Sequence, residues 1–387
     1  MKKTLFLFFT IYLGLHLTSL DIYAQSCTQL SLPENVLARF CTRDNQSFLD
    51  LDFSPDGKTL ASVVNWVRKV VLWDVENKTA KLTINDVNGK HVRYSPDGKT
   101  LVCGDAVYDA TTGEPTLLLL DGDGYRDYAV FSPDGKTIAG GGPKGIRFWK
   151  SNIDEPSEDA LPVGDTPIDV LPTDTSVPVT PESNPTSTPF ATSSTTVPGI
   201  QGLSYSPDGK ELAIACSLGI WIYNTEQNTE VVLLKNRDDQ VFSVSYSPDG
   251  NILAAGDSRN IYLHDTKTKN LKFKFHRNFW IISSLIFQDN NTLISSDAHG
   301  INFLDTTTFE YKRILSKDRF NFNMSISSNG NILAASAGDK TVLLYDLTSY
   351  PTVSISPDSV PSLTVGDELA FDVKITNGKT YLVTKQQ

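Results

Sequence analysis

From residue 48 onward, short apolar stretches alternate with polar residues at period two, and a tight polar turn interrupts them about every 40 residues. Val241 to Ser247 alternates in this way, as a strand with one buried face does. Ser-Pro-Asp-Gly follows; proline sets the first corner of a turn and glycine accepts the positive φ that closes it. Ile252 to Gly256 is a short apolar run suited to a strand covered on both faces, and Ile261 to His264 alternates again before a polar turn at Asp265. Leu271, Phe273 and Phe275 then alternate with lysines, which predicts an outer strand with one solvated face. Nothing in the unit has a helical period. Four short strands joined by turns are therefore predicted for each repeat.

The turn phrase marks the copies. Phe53-Ser-Pro-Asp-Gly-Lys-Thr-Leu-Ala returns with its lead residue at Tyr94, Phe131, Tyr205 and Tyr246. Two altered copies start at Phe287 (Gln-Asp-Asn-Asn-Thr-Leu-Ile) and Ile326 (Ser-Ser-Asn-Gly-Asn-Ile-Leu-Ala). The aspartate or its equivalent falls at Asp56, Asp97, Asp134, Asp208, Asp249, Asn290 and Asn329, in steps of 41, 37, 74, 41, 41 and 39. The long step equals one repeat plus an insertion, so seven copies are present. This is the spacing of four-stranded propeller blades. The predicted fold is all-β: a seven-bladed β-propeller of antiparallel blades. Glu34 to Phe40 reads as a strand without a partner, placed to become the outer strand of the last blade and close the ring. Repetition makes Asp56-Gly57, Asp97-Gly98, Asp134-Gly135, Asp208-Gly209 and Asp249-Gly250 structural turn formers.

A second marker keeps phase with the first: Trp73-Asp74, Tyr108-Asp109, Trp149-Lys150, Tyr223-Asn224, His264-Asp265, Leu304-Asp305 and Tyr345-Asp346. A large side chain before an acidic turn residue resembles the Trp-Asp ending of the WD-repeat β-propeller family, as in a divergent bacterial relative. The resemblance covers roughly residues 47–347 less the insertion. It implies a rigid protein-binding scaffold. The Gly-His pair common in that family is missing, so its aspartate–histidine network is not carried over.

The ends and the insertion differ from the repeats. Lys2 and Lys3 precede an apolar run from Leu5 to Leu17, with the small residue Ala24 before Gln25, which predicts a secretory signal peptide over residues 1–24. The run is shorter than the roughly 20 residues that span a bilayer, and no second one follows, so no membrane span is expected after cleavage. An exported location, periplasmic, cell-surface or secreted, permits disulfides; Cys27 and Cys41, 14 residues apart, are the candidate pair, while Cys103 and Cys216 read as buried thiols. Residues 151–199 hold nine of the 20 prolines and sixteen serines or threonines, with Phe190 the only aromatic, so a disordered insertion between the third and fourth repeats of the 25–350 propeller is expected. Residues 351–387 carry alternating stretches around Val365-Gly-Asp, resembling the opening of an immunoglobulin-like or cohesin-like β-sandwich. Such a sandwich needs about 100 residues, so this tail reads as a partial one.

Charge and chemistry narrow the function. The 387-residue chain has 34 basic and 45 acidic residues, a net charge of −11, and −12 once Lys2, Lys3 and Asp21 leave with the signal peptide. That balance argues against nucleic acid as a partner. No Gly-x-Ser-x-Gly elbow or His-Glu-x-x-His pair occurs, and Gly140-Gly-Gly142 is followed by no helical pattern that would cradle a phosphate. Asp121-Gly-Asp-Gly124 lacks the closing glutamate of a calcium loop. His91, His264, His276 and His299 fall in different copies and read as structural. No catalytic residue, metal or cofactor is expected. The function expected is non-catalytic protein binding. The alternatives are an exported propeller enzyme acting on lactones or glycans, or association with cell-surface polysaccharide through the tail. An enzyme would draw on first-strand starts, which offer Asp50, Arg93, Arg126 or Asp127, and Asp239 or Gln240.

Overall fold

The computed structural model describes residues 32, 35–42, 46–119, 128–142, 145–151, 199–227, 229–234, 240–276, 281–297, 300–316, 323–338, 340–348, 371–376 and 379–384. The chain separates into two compact units, Met1–Ser349 and Tyr350–Gln387.

The first unit is the ring of seven antiparallel blades that the repeat predicts. Its first strand, β1 (Val36–Cys41), belongs to the last blade. Blade 1 is β2 (Phe48–Phe53), β3 (Thr59–Val64), β4 (Lys69–Asp74) and β5 (Thr79–Ile84). Blade 2 is β6 (Val92–Tyr94), β7 (Thr100–Cys103), β8 (Ala106–Asp109) and β9 (Pro115–Leu118). Blade 3 shows three strands among the described residues: β10 (Tyr128–Phe131), β11 (Thr137–Gly142) and β12 (Gly145–Lys150). Blade 4 comprises β13 (Ile200–Tyr205), β14 (Glu211–Cys216), β15 (Gly219–Asn224) and β16 (Thr229–Leu234). Blade 5 has β17 (Ser243–Tyr246), β18 (Ile252–Gly256), β19 (Asn260–Asp265) and β20 (Leu271–His276). Blade 6 has β21 (Ser284–Asp289), β22 (Thr292–Asp297), β23 (Gly300–Asp305) and β24 (Tyr311–Ser316). Blade 7 is completed from both ends of the ring: β25 (Met324–Ile326), β26 (Ile332–Ala337) and β27 (Thr341–Asp346), with β1 antiparallel to β27 through pairs such as Phe40 with Val342. This is the closure predicted for Glu34 to Phe40, shifted by one or two residues.

Burial explains the apolar second and third strands. Each blade's middle strands are covered by a neighbour on both faces, so β14 and β18 are buried along nearly their whole length. Seven clusters of buried side chains fill the seven gaps between blades, for example Trp73, Phe40 and Phe53 between blades 7 and 1. The large residue of the second marker is the penultimate residue of each third strand and is buried in every blade. Trp73 also donates its indole N–H to Ser62 Oγ at 2.8 Å. Gly140 to Gly142 lie inside β11, where a Cβ on Gly141 would meet Ile200 of blade 4 at 2.9 Å. The tract is a close blade contact.

The first strands stand side by side around the centre, from β2 through β6, β10, β13, β17, β21 and β25 and back to β2. All run from one face of the ring, the entry face, to the Ser-Pro-Asp-Gly turns on the opposite, turn face. The second unit is described as one hairpin, β28 (Phe371–Thr376) with β29 (Lys379–Thr384). The turn expected at Val365 lies outside the described residues, as do residues 1–24, expected to be a signal peptide, and residues 152–198 of the Pro-rich insertion. No helix among the described residues is long and apolar enough to cross a membrane.

Candidate functional site

On the turn face, six copies use the same local hydrogen bonds, while blade 6 has Gln288 in place of the serine and Asn291 N donates to Asp289 Oδ1 instead. Ser54 Oγ donates to Asp56 Oδ1 at 2.6 Å, the Lys58 N–H donates to the same oxygen, and Thr59 N donates to Ser54 Oγ. The pattern recurs at Asp97, Asp134, Asp208 and Asp249, and at Asn329 in blade 7. The serine hydroxyl and the lysine N–H hold Asp56, Asp134 and Asp208 below the usual carboxylate range. Gly57, Gly98, Gly135, Gly209 and Gly250 all have φ between 70 and 73°. A Cβ on Gly98 would also approach Pro55 Cδ of the preceding blade at 3.2 Å, so the turns pack against one another around the ring. The repeated serine hydroxyl and the Oδ1 atom of the acidic residue are both engaged in holding the turn.

The entry face is where the blades differ. Asp50, 2% exposed, sits beside a bulge in β2 and reaches across to blade 2. It accepts hydrogen bonds from Val92 N (3.0 Å) and Arg93 Nη1 (2.5 Å), and pairs with His91 Nδ1 (3.2 Å). Burial alone would raise its pKa, but the Arg93 guanidinium and His91 more than compensate and bring it below the ordinary value. The His91 ring stacks on Tyr128 of blade 3, with centroids 3.8 Å apart and planes 21° apart. Asp50 and Arg93, taken from sequence as first-strand candidates, are thus brought together. Gln240 is half-buried, while Arg126, Asp127, Asp239, His299 and the Asp121–Gly124 loop lie outside the described residues. His91, read from sequence as a structural histidine, is drawn into this cluster, and Tyr128 was not singled out; the available signal was their position at the start of first strands.

Asp52, two residues along β2, accepts from Tyr94 N at 2.7 Å. Burial pushes its pKa up to about 6 against the pull of Arg93. The same position, one before the lead residue of the turn, bonds the next blade in two other places: Ser204 Oγ accepts from Tyr246 N and Ser325 Oγ from Phe53 N. Asp52 therefore belongs to a recurrent blade-to-blade link.

A channel-mouth cavity of about 110 Å³ lies among His91, Arg93, Tyr128, Gln201, Ser243 and Asn323. Among the described residues no group of three or more His, Cys, Asp or Glu side chains is placed to hold a metal ion. Cys41 is disulfide-bonded, while Cys103 and Cys216 are free and buried; Cys27 lies outside the described residues.

Outward from the channel, the β3–β4 hairpin projects from the entry face. At its tip Trp66 is 86% exposed with φ of 65°. The hairpin is fastened on both sides: Asn65 N donates to Ser47 O (2.8 Å) and Val87 N donates to Arg68 O (2.9 Å). Beside it the middle strands of blade 2 are only four residues long, and a groove of about 450 Å³ opens there, lined by Arg68, Ile84, Asp86, Asp105, Tyr108 and Leu118. Leu118 is 53% exposed.

A family model described as "WD domain, G-beta repeat" (WD40) matches residues 229–265 and 322–346. The first match runs from β16 of blade 4 through β19 of blade 5, and the second covers the first three strands of blade 7. No curated protein matches the chain. The ring of seven blades and these two matched stretches make the chain a WD-repeat-like β-propeller.

Proposed function

We propose that the chain is an exported, non-catalytic scaffold that binds protein partners through its entry face. Residues 1–24 are removed on export, residues 25–350 form the scaffold, and the tail follows as a separate element. The observation that carries the reading is Trp66: an indole 86% exposed, on a hairpin tied down at both flanks, beside a groove with apolar and charged walls. A rigid exposed aromatic next to a pocket is the arrangement from which binding hot spots are built, because little entropy is lost on docking. Propellers place recognition on such rims, with the blades as a fixed frame.

Hydrolysis of lactones or glycans is the second reading, and it would draw on Asp52 of the first strand β2, whose pKa burial raises to about 6. Against it, Asp50 Oδ2 is already engaged by His91, Val92 N and Arg93, and Asp52 is engaged in the link to Tyr94. One experiment separates the two. The full exported chain is immobilised and challenged with the envelope and secreted fractions of its source cell, and the same preparation is assayed on a lactone and oligosaccharide panel. Retention of a protein partner without turnover supports the scaffold. Turnover abolished by Asp52→Asn, with no protein retained, overturns it; glycan retained alone transfers the function to polysaccharide association.

A further inference from the structure

A different surface carries a second recognition element. β20 is the outermost strand of blade 5, and no described strand pairs with its free edge. Its alternation divides it sharply. Phe273 and Phe275 turn inward toward blade 6, where Phe273 stacks on Phe309 at 4.3 Å and 6°, and Phe275 meets Tyr311 at 5.9 Å. Lys272, Lys274 and His276 are exposed. Lys274 Nζ lies 5.1 Å from the centre of the Tyr262 ring, which supports the strand from the cross-strand side.

The charge around this strand runs against that of the whole chain. From Thr266 to Gln288 the sequence holds Lys267, Lys269, Lys272, Lys274 and Arg277 and no aspartate or glutamate, in a chain of net charge −11. Lys269 is paired with Glu211 at 2.5 Å. Lys272 and Lys274 have no ion pair among the described residues. The other outer strands differ: β9 and β16 carry no base, β5 has Lys81 alone and β1 has Arg39 alone, and on β24, where Lys312 is followed by Arg313, Lys312 is held by Asp305 at 3.1 Å.

We propose that the free edge of β20 takes an extended acidic peptide segment of a partner protein as a fifth strand of blade 5. Edge pairing supplies main-chain hydrogen bonds, and side chains at period two supply selectivity. Carboxylates on alternate residues of the incoming strand would face Lys272 and Lys274 as cross-strand pairs. The same lysines repel a second copy of β20, so the edge is protected against self-association while remaining open to a strand of opposite charge. A polysaccharide would use the charge but not the ladder, and the backbone edge distinguishes the two. The inference deepens the protein-binding reading but does not depend on the entry face.

The test uses the full exported chain and a labelled twelve-residue peptide with glutamate alternating with valine and threonine. Fluorescence anisotropy gives its affinity, and hydrogen exchange reports protection of β20. Binding is expected to protect β20, weaken with salt, and fall about tenfold or more in Lys272→Glu/Lys274→Glu, with Trp66→Ala unchanged. Lys272→Ala/Lys274→Ala, which adds no new charge, is expected to lose less. A peptide N-methylated at alternate residues keeps its charge but cannot complete the ladder, and it should not bind. Equal binding of the methylated peptide, or of dextran sulfate in competition at equal charge, overturns the strand-addition proposal, as does unchanged affinity in both lysine variants. If the entry face retains its partner in those cases, the scaffold reading survives the failure of this one.

Discussion

The carboxyl of Asp52 and the imidazole of His264 titrate in overlapping ranges with opposite consequences for stability. Asp52 is raised by burial from 3.8 to about 6, so the fold holds its proton more tightly than the unfolded chain does. Its contribution is present below pH 3.8 and is lost as pH rises to 6. Asp52→Asn keeps an acceptor for Tyr94 N and removes that loss; it should stabilise the protein at pH 7 by about 1–2 kcal/mol and do nothing at pH 3.5. His264 is lowered by burial from 6.5 to about 4, so its contribution is present above pH 6.5 and disappears as pH falls toward 4. Leucine occupies the equivalent slot in blade 6, fully buried as Leu304. His264→Leu should therefore gain about 2 kcal/mol at pH 5 relative to pH 7.5. Denaturant titrations of the two variants across pH 3.5–7.5 measure both, and parallel profiles for variants and parent would contradict both assignments. His264 was legible as a structural histidine because it stands in the slot of Trp73 and Tyr223. Asp52 was not singled out, because its partner lies 42 residues away in another blade.

At the level of elements, the turns were legible and the channel mouth was not, for one reason. Every bond in a Ser-Pro-Asp-Gly turn closes within five residues, so the motif is written contiguously and repeats visibly. The Asp50–His91 contact spans 41 residues, depends on a bulge in β2, and occurs in one blade only. Trp66 was not singled out from sequence, because a lone aromatic residue between two strands repeats in no other copy and only the fold exposes it. The turns yield two expectations. Asp134→Ala removes the acceptor for Ser132 and Lys136 N and should cost about 1–2 kcal/mol, while Asn329→Asp, which restores the common form, should cost nothing measurable. Gly98→Ala forces a side chain into φ of 72° against Pro55 and should cost about 1–2 kcal/mol. Thermal melts of the three variants in one buffer decide the order, and a stable Gly98→Ala would show that the turns do not pack as described.

For the whole molecule, the period near 40 residues announced the ring, and the unpaired stretch at Glu34 announced how it closes. Closure joins the two ends of the ring through β1 and β27, so removing residues 25–41 leaves β27 with an open edge. That deletion should raise the association state above that of the parent and lower the melting temperature, as light scattering behind size exclusion and a thermal melt would register; an unchanged mass and melting temperature would show that β1 is dispensable. The family match fell on only two stretches, in keeping with a chain that retains strand pattern and turns but lacks the histidine of the common repeat. What no sequence pattern reveals is which rim binds, because recognition depends on blade-specific departures such as the short strands of blade 2.

If the entry face binds a protein partner around Trp66, oxidative footprinting of that indole will register the contact. Mass spectrometry would follow Trp66 in the full chain before and after incubation with the captured partner, alongside dissociation constants for parent and Trp66→Ala. Protection of Trp66 together with at least about tenfold weaker binding of the alanine variant is the predicted result. Unchanged oxidation and unchanged affinity would contradict the claim and place recognition elsewhere on the ring.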